Sequence, residues 1–322
     1  MGKVLFHRDF QGFTGGHLKV WDYFNHTFAS DNYLPYVNFS PNSLWNCANP
    51  WQSFSEQIVQ DLAGFQSDVL FLAGLDWLQI PIAERYAPRL PVINLIQGFR
   101  HADPLHKCYE FLQYPAIRIC VSQEIQTAID RTGKLRGKTL VIPNGIDLAK
   151  FGEYRNYWER DRRPADVTIV ATKQPQLGGE LAEELQKIHP HLQIKLLSQR
   201  LPRHEFIHCL GSSRVTVFLP LAQEGFYLPA LEGMAAGTLV VCPDCVGNRS
   251  FCLDTWNCWR PEYKLKSILQ MIDYVLRTPE SEKQQIHDNA QLTVAKHDLI
   301  AERQAFLKIL TNVEQLWQEV LT

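Results

Sequence analysis

The sequence predicts an α/β protein built from two doubly wound parallel sheets. Short apolar runs such as 69–72 (VLFL) and 215–219 (VTVFL) are hydrophobic throughout rather than alternating. This is typical of parallel strands that are covered on both faces. The runs alternate with longer stretches of helical periodicity, and strand–helix–strand repetition implies right-handed crossovers within one sheet. The segment 152–164 (GEYRNYWERDRRP) interrupts this rhythm. We therefore interpret it as the junction between the two sheets.

The first half of the chain predicts strands at five short apolar runs. They are 4–6, 68–72, 91–95, 117–121 and 139–142. Amphipathic stretches with helical spacing lie between them, at 17–27, 54–62, 105–111 and 123–131. These elements define an N-terminal domain that we expect to span residues 1–151.

The second half repeats the alternation and predicts a C-terminal domain over residues 165–298. Its predicted strands are 167–171, 193–197, 215–219 and 238–241. Its predicted helices are 179–188, 203–210 and 229–236. After residue 264 only helical patterns follow.

The last stretch, 299–322, carries apolar residues at helical spacing that need a surface to bury against. They are Phe306, Ile309, Leu310, Val313 and Leu316. We expect this stretch to cross back onto the N-terminal domain. Both chain ends would then lie on one domain, and the junction 152–164 would act as a hinge.

Composition excludes several classes of protein. The chain has 322 residues, of which 45% are hydrophobic and 20% charged, so it can bury an ordinary core and is not intrinsically disordered. No apolar run approaches the roughly 18–20 residues that span a bilayer, although peripheral membrane contact stays open. The formal net charge of −2, without a basic stripe, argues against sequence-independent nucleic-acid binding. The start lacks a signal-peptide pattern, and the 8 cysteines fit a reduced, cytoplasmic chain.

The most informative segment is Glu224-Gly-Phe-Tyr-Leu-Pro-Ala-Leu-Glu232, which follows a predicted strand. Pro229 suits the first position of a helix, which places Glu224 on a loop and Glu232 in the first helical turn. No Ser, Thr, Asp or Asn precedes the helix as a cap, and free N–H groups at a helix start attract phosphate. Each carboxylate can accept hydrogen bonds from sugar hydroxyls. Two glutamates without further context are better explained as a solvated loop acid, Glu224, and a helix-dipole partner, Glu232.

Further residues place this segment in a family pattern. The frame EGFxLPxLExMAxGxxVV, which begins at Glu224, resembles the retaining glycosyltransferases of the GT-B fold, family 4 (group 1) in particular. The segment 141–151 (VIPNGIDLAKF) resembles the signature that ends the N-terminal domain of that family. Gly15-Gly16-His17 and the segment 119–122 (ICVS) also fit. The likeness runs from about residue 12 to about residue 260.

The resemblance implies two Rossmann-like domains that face a cleft. A sugar would move from a nucleotide-diphosphate donor to an acceptor hydroxyl with retained anomeric configuration, as in hexosyltransferases. Within the family pattern, Glu232 corresponds to the residue that holds the ribose hydroxyls, Glu224 to the one that contacts the donor sugar, and Lys173 to a cation at the diphosphate. The donor would be a substrate, and the resemblance implies no metal or other cofactor.

The family pattern also assigns backbone contacts to the donor. They would come from Gly15, Gly16, Gly225, Phe226, Tyr227 and Leu228. Two of the donor-site positions depart from the pattern. Gly178 stands where a second lysine is usual, so the diphosphate would need another partner, for which Arg200 and Arg203 are candidates. Tyr227 replaces a glycine and should reshape the sugar pocket.

The N-terminal domain departs from the pattern at its catalytic position. The family usually places a histidine after the strand 91–95, whereas alignment puts Gln97 there, with His101 following. His101 either reaches the substrates or lies on a surface loop. The acceptor can be a glycan, a lipid-linked sugar or a small molecule, and the sequence fixes neither the donor sugar nor the oligomeric state.

Two other functional classes remain open at this stage. Gln97, Gly178 and Tyr227 would also suit a catalytically silent GT-B module that binds a nucleotide or a glycan. The third class is a zinc-stabilised scaffold. Its candidate ligands are Cys242, Cys245, Cys252 and Cys258, although their C-x2-C-x6-C-x5-C spacing is not a common zinc pattern.

Overall fold

The computed structural model describes residues 1–12, 14–154 and 163–322. The chain divides into two compact units, one formed by residues 1–144 together with 300–322 and the other by residues 145–299. Each unit contains a parallel sheet flanked by helices, which confirms the predicted α/β class. Among the described residues, no helix combines the length and the hydrophobicity that crossing a bilayer would require.

The unit boundary precedes the predicted one, because residues 145–154 belong to the second unit. Phe151 is fully buried in a core cluster that also contains Leu210 and Leu231, and this packing attaches the segment to the second unit. Of the predicted junction 152–164, residues 155–162 lie outside the described part of the chain.

The sheet of the first unit has six parallel strands in the order β2-β1-β3-β4-β5-β6. The strands are β1 (Gly2–Arg8), β2 (Tyr33–Phe39), β3 (Val69–Ala73), β4 (Val92–Ile96), β5 (Ile117–Cys120) and β6 (Thr139–Val141). The sequence did not predict β2, whose pattern is interrupted by Pro35. Proline is tolerated there because β2 lies at the edge of the sheet, where it pairs along its length with β1 and meets the other side through an isolated bridge from Val37 to Ile58.

The first part of this unit has three α-helices and several 3₁₀ turns. The helices are α1 (Gly15–Phe28), α2 (Ile82–Arg85) and α3 (Gln123–Asp130). The 3₁₀ turns are Pro50–Ser53, Ser55–Gln57, Asp76–Gln79, Phe99–His101 and Lys107–Gln113. The predicted helix over 54–62 is wrong. The N–H of Val59 donates to the carbonyl of Val37 in β2 at 2.8 Å, so this backbone extends the sheet edge instead of coiling.

The sheet of the second unit has four parallel strands in the order β10-β9-β7-β8. The strands are β7 (Ala165–Val170), β8 (Ile194–Leu197), β9 (Ser213–Phe218) and β10 (Leu239–Val241). The helices are α4 (Pro175–Ile188), α5 (Arg203–Gly211), α6 (Leu228–Ala235), α7 (Leu265–Arg277) and α8 (Glu280–Ala295). The 3₁₀ turns are Leu148–Tyr154 and Val246–Asn248.

The chain ends in two helices, α9 (Leu299–Thr311) and α10 (Val313–Leu321), whose residues from Ile300 onward belong to the first unit. Phe306 of α9 is fully buried there, with its ring 4.8 Å from that of Tyr23 and 5.9 Å from that of Phe71. The apolar face that the sequence shows in this stretch is therefore covered by α1 and β3.

A buried charge network joins α9 to α1. Lys19 donates across to Glu302 at 2.6 Å and to Asp22 at 2.8 Å, while His26 Nε2 lies 3.1 Å from the other Glu302 oxygen. The side chains of Lys19 and Glu302 are each 1% exposed. Because a buried charge is tolerated only with a partner, this network fixes how α9 docks on α1.

Replacing Glu302 by glutamine should destabilise the first unit strongly. The substitution preserves size but removes one of the two carboxylates that neutralise the buried Lys19 ammonium, and breaking a buried ion pair costs about 3–5 kcal/mol. We expect a clearly lower urea midpoint of unfolding. The control is Glu319→Gln, since Glu319 pairs with Lys138 at 2.6 Å but both side chains are 43% exposed. Exposed pairs contribute about 0–1 kcal/mol. Equal midpoints for the two variants would contradict the role of the network.

Candidate functional site

The candidate site lies at the carboxyl end of the second sheet, where two neighbouring strands end together. Val170 of β7 is paired with Phe218 of β9, and the N–H of Leu219 still donates to the carbonyl of Val170 at 3.0 Å. The loops that follow carry Lys173 and Glu224. Because parallel strands run in one direction, both side chains emerge at the same edge of the sheet.

Lys173 and Glu224 are brought into direct contact. The Lys173 ammonium lies 2.9 Å from one carboxylate oxygen of Glu224 and 3.0 Å from the other. The N–H of Leu221 donates to the first of these oxygens at 3.1 Å. The Lys173 side chain is 40% exposed and that of Glu224 13%. The pair is thus fixed from the protein side but open to a ligand.

A close approach between two loops holds Glu224 in place. The N–H of Tyr227 donates to the carbonyl of Gly247 at 2.8 Å, and the N–H of Val246 donates to that of Ala222 at 3.1 Å. A Cβ atom on residue 247 would lie 2.6 Å from the backbone oxygen of Glu224. Only glycine allows this contact without a backbone shift.

The four predicted donor-loop residues take different positions. Gly225 is buried and Phe226 half-buried, and within the described residues their N–H groups have no hydrogen-bond acceptor. The Phe226 ring stacks on Phe251 at a centroid distance of 5.0 Å. Tyr227 and Leu228 are buried in the core, at 2% and 7% exposure. Their side chains pack in the core of the second unit and support the loop from its buried side.

Glu232 lies deeper than the sequence indicates. Helix α6 begins at Leu228 and its first turn holds no acidic residue, so the prediction of Glu232 in the first turn is wrong. Pro229 is the second helical residue, because Leu228 already has helical geometry. Glu232 is 2% exposed and forms an ion pair with Arg203, the first residue of α5. The sequence makes Arg203 a candidate partner of the diphosphate, whereas in the structure it pairs with this carboxylate.

The missing second lysine is explained by packing. Gly178 is buried in α4, where a Cβ atom would lie 2.2 Å from the Cβ of Ala171, just beyond β7. The helix approaches the sheet so closely that no side chain fits at this position. Within the described residues, Lys173 therefore has no neighbouring lysine on α4 to share a diphosphate.

Adding one methyl group at Gly178 should destabilise the second unit, whereas adding one at Gly179 should not. Gly178→Ala forces α4 away from Ala171, and overpacking of this kind costs about 1–3 kcal/mol. A Cβ atom at Gly179 meets no atom within 4 Å, and alanine is preferred to glycine in a helix by about 0.5–1 kcal/mol. Chemical denaturation of both variants checks the difference. A similar loss of stability in both would contradict the close packing of α4.

In the first unit, the predicted residues Gly15, Gly16 and Gln97 come together. Gly15 and Gly16 open α1, with Thr14 as the cap residue whose hydroxyl accepts from His17 N–H at 3.4 Å. Gln97 directly follows β4, and its side-chain amide donates to the carbonyl of Gly16 at 3.3 Å. Gln97 thus links the end of β4 to the start of α1.

His101 does not lie on the surface, which was one of its two predicted positions. Its ring is fully buried, with Nδ1 3.2 Å from the carbonyl of Gly98 and with no hydrogen-bond partner for Nε2 among the described residues. Burial lowers the pKa of His101 to about 3. A surface-loop position is therefore wrong, while a contact between His101 and a substrate stays a prediction. Gln97, the other candidate, is half-buried.

Sequence reasoning missed a polar network beside this turn. Arg8, the last residue of β1, donates to buried Asp76 at 2.6 Å and to His17 Nδ1 at 2.7 Å. Burial raises the pKa of Asp76 to about 6, although Arg8 favours its charged form. Burial and the nearby Arg8 charge lower the pKa of His17 to about 4. Because arginine only donates, His17 is neutral and carries its proton on Nε2. The sequence feature that could have indicated this network is Arg8 itself, an arginine at the end of a strand whose run 4–6 is apolar.

The cysteine-rich segment does not form a metal site in the described residues. All four predicted zinc ligands, Cys242, Cys245, Cys252 and Cys258, are buried free thiols. Cys242 Sγ accepts from the side-chain amide of Asn248 at 3.2 Å, and burial raises the pKa of Cys245 to about 12. No group of three or more His, Cys, Asp or Glu side chains in the described ranges is arranged to hold a metal ion. The zinc-scaffold hypothesis thus has no ligand set there.

Comparison with known proteins bears on the fold as a whole. No protein-family model and no curated protein matches the sequence. The structure is similar to HepE from Anabaena in complex with UDP-glucose, with a TM-score of 0.71 and 16% identity over 97% of this chain and 100% of that one. It is also similar to sucrose-phosphate synthase from Thermosynechococcus elongatus, with a TM-score of 0.70 and 12% identity over 98% and 100% of the two chains.

A third similar structure is a glycosyltransferase from Rickettsia africae, with a TM-score of 0.66 and 14% identity over 100% of this chain and 99% of that one. At these identities the likeness establishes the fold. It covers both compact units, and it confirms the predicted GT-B architecture.

Proposed function

We propose that the chain is a glycosyltransferase that uses a nucleotide-diphosphate sugar and retains the configuration of the transferred sugar, as family 4 enzymes do. The observation that carries the proposal is the contact between Lys173 and Glu224 at the carboxyl edge of the second sheet. The buried carboxylate of Glu232 lies on the helix that follows the Glu224 loop. The GT-B fold and the UDP-glucose bound by HepE support the same donor class.

Lys173 would hold the diphosphate of the donor. Its ammonium is 40% exposed at a strand end, where phosphate oxygens can approach it. When the bond between the sugar and the diphosphate breaks, negative charge accumulates on the leaving group. A fixed cation stabilises that charge more in the transition state than in the ground state, which accelerates the step. The unpaired N–H groups of Gly225 and Phe226 would add donors on the same side.

Glu224 would orient the donor sugar by accepting hydrogen bonds from its hydroxyls. Its carboxylate already accepts from Leu221 N–H, which keeps it oriented while Lys173 moves to a phosphate. The backbone of Glu224 is fixed by Gly247 behind it. Glu232 would accept from the ribose hydroxyls, so that the two glutamates hold the two sugars of the donor.

The acceptor would bind the first unit, beside the turn between β1 and α1. Gln97 and Gly16 line this turn together, and Arg8 holds His17 there as a neutral N–H donor. Hydroxyl groups of a glycan, a lipid-linked sugar or a small molecule would be suitable ligands for such a neutral polar surface. We assign His101 no contact with substrate because it is fully buried.

The experiment that tests the proposal offers the chain a panel of nucleotide sugars, beginning with UDP-glucose, with and without hydroxyl acceptors. Release of the nucleoside diphosphate measures turnover, and the anomeric proton of the product in NMR reports its configuration. We expect release that depends on one donor and gives an axial product from an axial donor. Inversion would contradict the retaining mechanism. Binding of the donor without any turnover would favour the catalytically silent GT-B module. Two observations support that alternative: His101 is buried, and position 178 has no room for a lysine.

Replacing Glu224 by glutamine should lower turnover without weakening the binding of the free nucleoside diphosphate. The loss of a group that acts on the sugar in the transition state costs about 10²-fold in rate. The same change releases Lys173 from its ion pair, so its ammonium binds diphosphate without first losing a carboxylate. Affinity for UDP should therefore stay equal or rise. Activity assays and titration calorimetry measure the two effects.

The control for this prediction is Glu183→Gln, which removes an exposed carboxylate from α4 of the same unit. It should change neither turnover nor affinity. A Glu224→Gln variant that binds UDP more weakly than wild type would show that Lys173 needs its partner to be placed, and would contradict the assigned competition.

A further inference from the structure

Glu232 is a buried carboxylate that forms an ion pair with Arg203. It is 2% exposed and lies in a short, largely apolar helix between Leu231 and Gly233. Its Oε1 forms an ion pair with Nη2 of Arg203. The geometry of this contact is not that of a hydrogen bond, and Oε1 accepts no other hydrogen bond within the described residues. The other oxygen, Oε2, has no partner among those residues. One oxygen therefore faces the protein cation, and the second is left for a ligand.

Burial explains why Arg203 is required. An unpaired carboxylate taken out of water is costly enough that it becomes protonated or moves toward solvent. Without a partner, the Glu232 carboxylate would not stay placed to accept from two ribose hydroxyls. Arg203 is the first residue of α5, and its guanidinium reaches Glu232 on α6 from there.

Exposure distinguishes this role from phosphate binding. The Arg203 side chain is 28% exposed, whereas that of Lys173 is 40% exposed at the open edge. The guanidinium is turned inward onto Glu232 and has its charge already neutralised there. An arginine that took over diphosphate binding from the absent lysine at position 178 would instead direct its charge toward solvent, as Lys173 does.

We propose that Arg203 is a positioning residue for nucleotide recognition: it holds the Glu232 carboxylate in place, so that the carboxylate oxygen it does not contact accepts hydrogen bonds from the ribose. This inference rests on the proposed function, since it presumes a nucleotide donor in the second unit. It assigns the ribose, rather than the diphosphate or the transferred sugar, as the part of the ligand that depends on Arg203.

The test compares UDP with 2′,3′-dideoxy-UDP, which lacks the ribose hydroxyls, by titration calorimetry. The proteins are wild type, Arg203→Gln, Glu232→Gln and the double variant. We expect each single substitution to weaken UDP binding by about tenfold or more, as expected for losing hydrogen bonds to a charged acceptor. Binding of the dideoxy ligand should be weak and equal in all four proteins. The double variant should bind UDP no more weakly than Glu232→Gln alone.

Two comparisons guard against a purely structural effect. Arg203→Lys keeps the charge and should recover part of the UDP affinity, while Arg277→Gln, which removes an exposed arginine of α7, should leave both ligands unaffected. Without ligand, the double variant should be more stable than Arg203→Gln, because it no longer buries an unpaired carboxylate.

The outcomes separate the two levels of the argument. Equal weakening of UDP and dideoxy-UDP in Arg203→Gln would show that Arg203 binds the diphosphate, and it would overturn the inference while leaving the proposed function intact. A double variant that is less stable than Arg203→Gln would also overturn it. Failure of the wild type to bind any nucleoside diphosphate would overturn the proposed function, and the inference with it.

Discussion

The direction of the strands is the constraint on which the candidate site depends. In a parallel sheet every strand delivers its following loop to the same edge, so residues far apart in sequence meet there. Strands β7 and β9 end side by side, with Val170 paired to Phe218. This register brings the Lys173 ammonium within 2.9 Å of a Glu224 carboxylate oxygen, although the two residues are 51 positions apart in the chain. An ion pair at this edge gives the site a cation and an acceptor of hydroxyl hydrogens before any ligand binds.

Close packing then decides what the site contains. Gly247 allows one loop to press on the backbone of Glu224, and Gly178 allows α4 to press on Ala171. The first contact fixes the position of the Glu224 backbone, while the second removes the room for a lysine at position 178. Charge in this unit is consequently arranged in pairs, Lys173 with Glu224 and Arg203 with Glu232. Under the proposed function, a donor would compete with the first pair for Lys173, whereas the second pair would stay in place and leave one Glu232 oxygen for the ribose.

The sequence predicted the α/β class, most strand positions and the Glu224–Glu232 segment, because apolar strand runs and helix-start residues are local signals. It missed β2, since Pro35 and Asn38 hide an edge strand, and it predicted a helix where Val59 pairs with that strand. It also missed the partnership of Arg203 with Glu232 and of Arg8 with Asp76. Such pairs are fixed by tertiary packing between distant elements, for which one sequence has no periodic signal.

The measurement that tests the central claim most directly is amide hydrogen exchange with and without UDP, followed segment by segment. If the second unit holds a nucleotide at its carboxyl edge, amides of residues 221–233 and of the turn after β7 should exchange more slowly in the presence of UDP. Amides of α7 and α8, which carry no residue of the site, should be unchanged. Binding of UDP that protects another part of the chain, with no slowing over residues 221–233, would contradict the account.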